Sequence, residues 1–90
     1  SHKKFGFIEP FKSFVPSIGI SEITKIGPDN YVVGSMKDKS IYFFELDKTK
    51  KIINLERVEV FERVRDLTFY KNKLYLFLEN SSSIGVIKLN

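Results

Sequence analysis

Two arginines one residue apart, Arg63 and Arg65, are the strongest chemical feature of the sequence. Side chains alternate faces along a strand. A strand through Glu62-Arg63-Val64-Arg65-Asp66-Leu67 therefore puts both guanidinium groups on one face, sets Val64 behind them and turns Asp66 the other way. Paired guanidinium forks suit a small ligand carrying several carboxylates, because each fork can make two parallel charge-assisted hydrogen bonds. The same spacing also describes a strand face that is simply solvated or paired with Glu59 and Glu62, so both readings stand at this point.

The remaining chemistry is limited by what the chain lacks. It has no cysteine, which excludes disulfides, thiolate metal sites and a cysteine nucleophile. Its one histidine, His2, follows Ser1 at an end that reads as a remnant or a disordered terminus. Without an interior histidine, Ser-His catalysis and histidine-rich metal sites are out, and any acid or base must be Asp, Glu, Lys or Tyr. No catalytic residue or metal ligand is therefore assigned. The net charge of +4 arises from 15 basic and 11 acidic residues. Its densest run, Lys48, Lys50 and Lys51, sits with Asp47 and Thr49 in a turn signal, which reads as a solvated hairpin tip and not as a nucleic-acid patch. No apolar run approaches the roughly 20 residues that span a bilayer, so no membrane span is expected.

The elements that must position Arg63 and Arg65 are strands. Ninety residues make one small domain. From Ile20 onward, short runs rich in Ile, Val, Tyr and Phe alternate with Gly, Asp, Asn, Lys and Ser clusters, and helical periodicity is absent. The pattern predicts antiparallel strands near 20–26, 31–36, 40–46, 52–60, 64–70, 74–79 and 84–89. The chain also repeats. Glu22-Ile23-Thr24 matches Asp66-Leu67-Thr68 at a shift of 44, and Tyr31, Val33, Ser40, Ile41, Phe44 and Leu46 match Leu74, Leu76, Ser83, Ile84, Ile87 and Leu89 at a shift of 43. A period in the low forties with three or four strands per unit is the pattern of β-propeller blades.

This predicts an all-β chain, a propeller fragment of about two blades. Residues 1–13 form an N-terminal remnant or swapped strand, 14–62 a blade and 63–90 a partial blade. Two blades do not close a ring, so the open faces and edges predict either a homo-oligomer or association with the remainder of a propeller. The strand missing from the second unit comes from Phe5-Gly6-Phe7-Ile8 or from a segment of a longer parent chain.

Three segments in order, Val15-Pro16-Ser17-Ile18-Gly19-Ile20-Ser21, Val33-Gly34-Ser35-Met36-Lys37 and Arg63-Val64-Arg65-Asp66-Leu67, give a more specific expectation. The chain resembles, over about residues 14–89, the C-terminal end of the soluble sugar dehydrogenases that use pyrroloquinoline quinone (PQQ), the glucose/sorbosone dehydrogenase family. The resemblance implies a six-bladed propeller and a periplasmic or secreted parent that oxidises an aldose sugar. It also implies that Lys37, Arg63 and Arg65 contact the carboxylate side of the PQQ cofactor. Members often carry a glycine after the lysine position where this chain has Asp38-Lys39-Ser40, so either Lys37 or Lys39 fits the ligand role. The histidine base and the calcium ligands that the family implies lie outside these residues, so the chain by itself is expected to be inactive. The alternative is a non-enzymatic propeller that binds or scaffolds on the same fold.

Overall fold

The computed structural model describes residues 20–89. The expectations placed on His2, on Phe5 to Ile8 and on Val15 to Gly19 lie outside these residues. The described chain is all-β, with seven strands: β1 (Ile20–Lys25), β2 (Asn30–Ser35), β3 (Ser40–Leu46), β4 (Ile52–Glu59), β5 (Val64–Tyr70), β6 (Lys73–Leu78) and β7 (Ser83–Lys88). All neighbours are antiparallel. The strands make a four-stranded sheet in the order β1-β2-β3-β4 and a three-stranded sheet in the order β5-β6-β7.

Turn chemistry explains where the strands reverse. Lys71 and Asn72 both take positive φ, 48° and 66°, which is the backbone that a two-residue hairpin between β5 and β6 requires. Between β3 and β4, one carboxylate oxygen of Asp47 accepts the Thr49 N–H (2.8 Å), the Thr49 hydroxyl (2.8 Å) and the Lys51 N–H (2.9 Å). The lysines of this tip, Lys48, Lys50 and Lys51, are exposed around that aspartate.

Alternation along the strands builds the core. Val32 and Ile41 of the first sheet are fully buried against Val64, Leu67, Leu74 and Leu76 of the second, and Phe43, Val58 and Ile87 pack around them. The opposite face of the first sheet has its own cluster, in which Val33, Tyr42 and Phe44 are buried with Tyr31, Leu46 and Ile52. There the Tyr31 and Phe44 rings stack at 5.6 Å.

Leu74 is 0% exposed and Leu55 is 49% exposed, so the same truncation separates core from surface. Leu74→Ala is expected to cost about 2–5 kcal/mol of stability and Leu55→Ala less than about 1 kcal/mol, measured by urea denaturation. Equal losses at the two positions would place the core elsewhere.

Candidate functional site

The four cations singled out in the sequence, Lys37, Lys39, Arg63 and Arg65, lie at one end of the two sheets. Antiparallel order puts the β2–β3 turn, the start of β5 and the β6–β7 turn at that end, and the connector between β4 and β5 ties them together. The N–H groups of Val60 and Phe61 both donate to the Lys39 carbonyl, at 2.9 and 3.1 Å. Arg63 N–H donates to Asn80 Oδ1 at 3.1 Å, and the Arg63 carbonyl accepts from Glu79 N–H at 2.9 Å. Glu62 Oε1 receives both the N–H and the hydroxyl of Ser81, at 2.8 and 2.9 Å. The backbone positions of Lys39 and Arg63 are thus fixed by hydrogen bonds while the side chains of all four cations stay exposed.

The two arginines sit in different settings. Arg63 precedes β5, and among the described residues its guanidinium makes no ion pair. Arg65 lies at a register shift: Val64 pairs with Leu78 and Asp66 with Phe77, which leaves Arg65 unmatched across the strand. Such a bulge puts two residues opposite one and breaks the alternation. Val64 and Leu67 are therefore buried, while Arg65 and Asp66 between them are both exposed, so Asp66 does not turn inward as uninterrupted alternation predicts. Asp66 Oδ1 accepts the N–H of Leu67 at 2.8 Å.

Arg65 reaches Glu79 Oε2 at 3.7 Å, with its side chain 64% exposed. A pair so exposed contributes little to stability. The other oxygen of Glu79, Oε1, is buried and accepts no hydrogen bond among the described residues. Beside this pair runs an open groove of about 350 Å³ bordered by Phe77, Leu78, Ser82 and Ser83.

Lys37 stands on a turn with a polar foundation that sequence reasoning missed. Asp38 Oδ2 accepts the Tyr42 hydroxyl and also Arg57 Nε–H, the latter at 2.9 Å. The Asp38 N–H donates to Ser35 Oγ at 2.8 Å, and the Ser40 hydroxyl donates to the Asp38 carbonyl at 3.0 Å; both serines are fully buried. The Tyr42 hydroxyl first, and Arg57 with it, hold the Asp38 carboxyl below its ordinary range. Burial first, and then the Asp38 carboxylate, push the Tyr42 hydroxyl up. The signal for this network was the β3–β4 register, which sets Tyr42 directly opposite Arg57. No periodicity in the sequence specifies that register.

Chemically, this end offers fixed positive charge to an anion. Among the described residues no group of three or more His, Cys, Asp or Glu is arranged to hold a metal ion, and the Asp38 carboxylate is already committed to Tyr42 and Arg57.

The Asp38 network sets a pH dependence. A carboxyl lowered in the folded chain contributes stability above its unfolded pKa of about 4, and that contribution is lost as pH falls through the lower folded value. The chain is therefore expected to lose more stability between about pH 5 and pH 2 than Asp38→Asn does, measured by thermal unfolding across that range. At the alkaline limb the sign reverses, since a raised Tyr42 contributes stability below about pH 10 and loses it above. The phenolate absorbance assigned to Tyr42, by difference from Tyr42→Phe, is expected to rise at lower pH once Asp38 is replaced by Asn. Superimposable titrations would show the contact to be energetically silent.

Comparison of the chain with protein-family models, with curated proteins and with solved structures finds no match.

Proposed function

We propose that this chain contributes the carboxylate-binding side of a PQQ site to a propeller-type aldose dehydrogenase. Lys37, Arg63 and Arg65 hold the cofactor's anionic edge. The observation that carries the reading is that the connector's hydrogen bonds bring the Lys37 turn and the Arg63–Arg65 segment, far apart in sequence, to one end of the sheets with their charges exposed.

The residues fit such a group. The cofactor is a planar tricarboxylate, and two guanidinium forks with an ammonium give charge-assisted hydrogen bonds of about 1.5–3 kcal/mol each when partly desolvated. Among the described residues Arg63 has no ion pair to give up, whereas Arg65 must exchange Glu79 for the ligand. When bound, the quinone supplies the redox chemistry by accepting hydride from the sugar. The residues of this chain orient and neutralise the cofactor and do not move the proton. The sheet repeat supports the same reading, because the two sheets show equivalent strand order and the second packs its face on the first, as adjacent blades do.

A second reading, a scaffold propeller without cofactor, is favoured by one specific contact. Arg65 already has a carboxylate partner in Glu79, which makes it a structural residue if nothing replaces that partner.

Titrating the chain with PQQ, followed by quinone absorbance, separates the two readings. In the cofactor reading, Arg63→Ala and Lys37→Ala each weaken binding about tenfold or more, and Glu79→Gln, which frees Arg65, tightens it. In the scaffold reading, no variant changes quinone binding. Binding that is indifferent to Arg63 and Lys37 overturns the proposal.

A further inference from the structure

Among the described residues the outer edge of β7 is an open strand-pairing site, and the repeat shows what kind of neighbour it is shaped for. β7 matches β3: Ser40, Ile41 and Phe44 correspond to Ser83, Ile84 and Ile87. In the first sheet, the Leu46 N–H bonds to the Asp29 carbonyl at 3.0 Å. Hydrogen-bonded residues alternate along an antiparallel strand, so Phe44, Tyr42 and Ser40 bond towards β2 while Ile41, Phe43 and Glu45 bond away from it. That second set is where β4 seats, with Ile41 opposite Val58, Phe43 opposite Glu56 and Glu45 opposite Ile53.

The second sheet repeats the arrangement as far as β7. The Leu89 N–H bonds to the Asn72 carbonyl at 2.9 Å, so Ile87, Gly85 and Ser83 bond towards β6. The backbone N–H and C=O groups of Ile84, Val86 and Lys88 then point away from the sheet, and among the described residues no strand meets them. Ile84 (58% exposed), Val86 (56%) and Phe77 (49%) also stand on an exposed face of the second sheet, whereas Ile41, the counterpart of Ile84, is 0% exposed because the second sheet packs on its face.

The β4 and β7 edges are also guarded differently. β4, at the edge of the first sheet, carries Glu56, Arg57 and Glu59 and is bent by a register shift, with Asn54 at φ 53°. Charges and bulges of this kind deter further pairing. β7, Ser83-Ile84-Gly85-Val86-Ile87-Lys88, has one charge, no proline and an unbroken register with β6. An edge that is flat, apolar and regular is a template for another strand.

We propose that this edge is occupied by β7 of a second copy of the chain, antiparallel about a two-fold axis through Val86, giving one continuous six-stranded sheet. The residues that offer free backbone groups are spaced by two, so a two-fold at Val86 sets each of them opposite another: Val86 opposite Val86, and Ile84 of one copy opposite Lys88 of the other. The strand's only charge thus meets an aliphatic side chain and never its own like, and the contact is isologous, so it closes at two. The apolar side chains of Phe77, Ile84 and Val86 from both copies then adjoin on one face. The contact is small, below the roughly 1,200 Å² of a standard interface, so the dimer is concentration-dependent. The inference concerns this chain by itself; in the propeller of the cofactor reading, the fourth strand of the second blade would take the same edge.

The test is sedimentation velocity of the chain across a dilution series. The wild type is expected to pass from a monomer of 10.5 kDa at low concentration to twice that mass. Val86→Pro removes an N–H that points at the edge and not at β6, so it is expected to raise the dissociation constant at least tenfold while far-UV circular dichroism stays that of a β-sheet protein. Val86→Lys, which places like charges opposite each other at the axis, is expected to do the same and decides the matter if the proline variant does not fold. Phe61→Ser removes the most exposed large apolar side chain of the described residues, 73% exposed and on the connector between β4 and β5, and is expected to leave dimerisation unchanged. A wild type that stays monomeric at every concentration, or a dimer that both Val86 variants leave intact, overturns the proposal.

Discussion

The packing of the second sheet on the first through a single apolar seam is the constraint on which the cationic end depends. Val32 and Ile41 on one side, and Val64, Leu67, Leu74 and Leu76 on the other, are close to fully buried. Burying a side chain of this size contributes about 1.5–3 kcal/mol, far more than the exposed ion pairs around the loops. The seam sets the height of β5 against β2 and β3. Only at that height does the connector reach Lys39 with two N–H groups and meet Asn80 through Arg63. The polar contacts at the end of the sheets are thus precise because an apolar contact below them fixes the distance.

The same seam explains why so much of the fold was legible in the sequence. A buried face demands period-two alternation, and β-branched and aromatic residues at alternate positions marked all seven strands to within about a residue at each end. Turn residues supplied the rest: Lys71-Asn72 and Asp47 to Lys50 each reverse the chain through a backbone or side-chain device that their composition announces. What alternation could not announce was its own interruption. Arg65 falls at a bulge, so the inference that Asp66 turns away from it fails by one residue, although Val64 and Leu67 still find the core. Bulges answer to the geometry of the neighbouring strand, and no local pattern in Arg63 to Leu67 encodes it.

The candidate site was legible in part for a related reason. Exposed charge of one sign stands out in a sequence, so Lys37, Lys39, Arg63 and Arg65 could be singled out. Their partners could not. Glu79 is 14 residues from Arg65 and Arg57 is 19 from Asp38, and both contacts arise only once strand register is set. The Asp38, Tyr42 and Arg57 group also shows that a charged turn need not be a ligand site in all its parts. Asp38 is engaged internally, and its engagement leaves the neighbouring Lys37 on a turn that is already braced by two buried serines.

The two repeats have solved the support of that turn in different ways. In the first sheet, Ser35 and Tyr42 lie below the β2–β3 turn, and the hydroxyls of Ser35, Ser40 and Tyr42 all bond Asp38. The corresponding positions in the second sheet are Leu78 and Gly85. A Cβ on Gly85 would lie 3.2 Å from Leu78 Cδ1, so the leucine fills the space where the first sheet keeps its tyrosine. Apolar packing has replaced the Ser35 and Tyr42 hydroxyls, while Ser83, the counterpart of Ser40, keeps its hydroxyl 2.6 Å from that of Ser81. That turn is instead anchored from outside, by Glu62 and by the Arg63 backbone reaching over from the connector. The anchoring contacts of the second sheet therefore converge on the segment that carries the arginines, and they fix the Arg63 backbone.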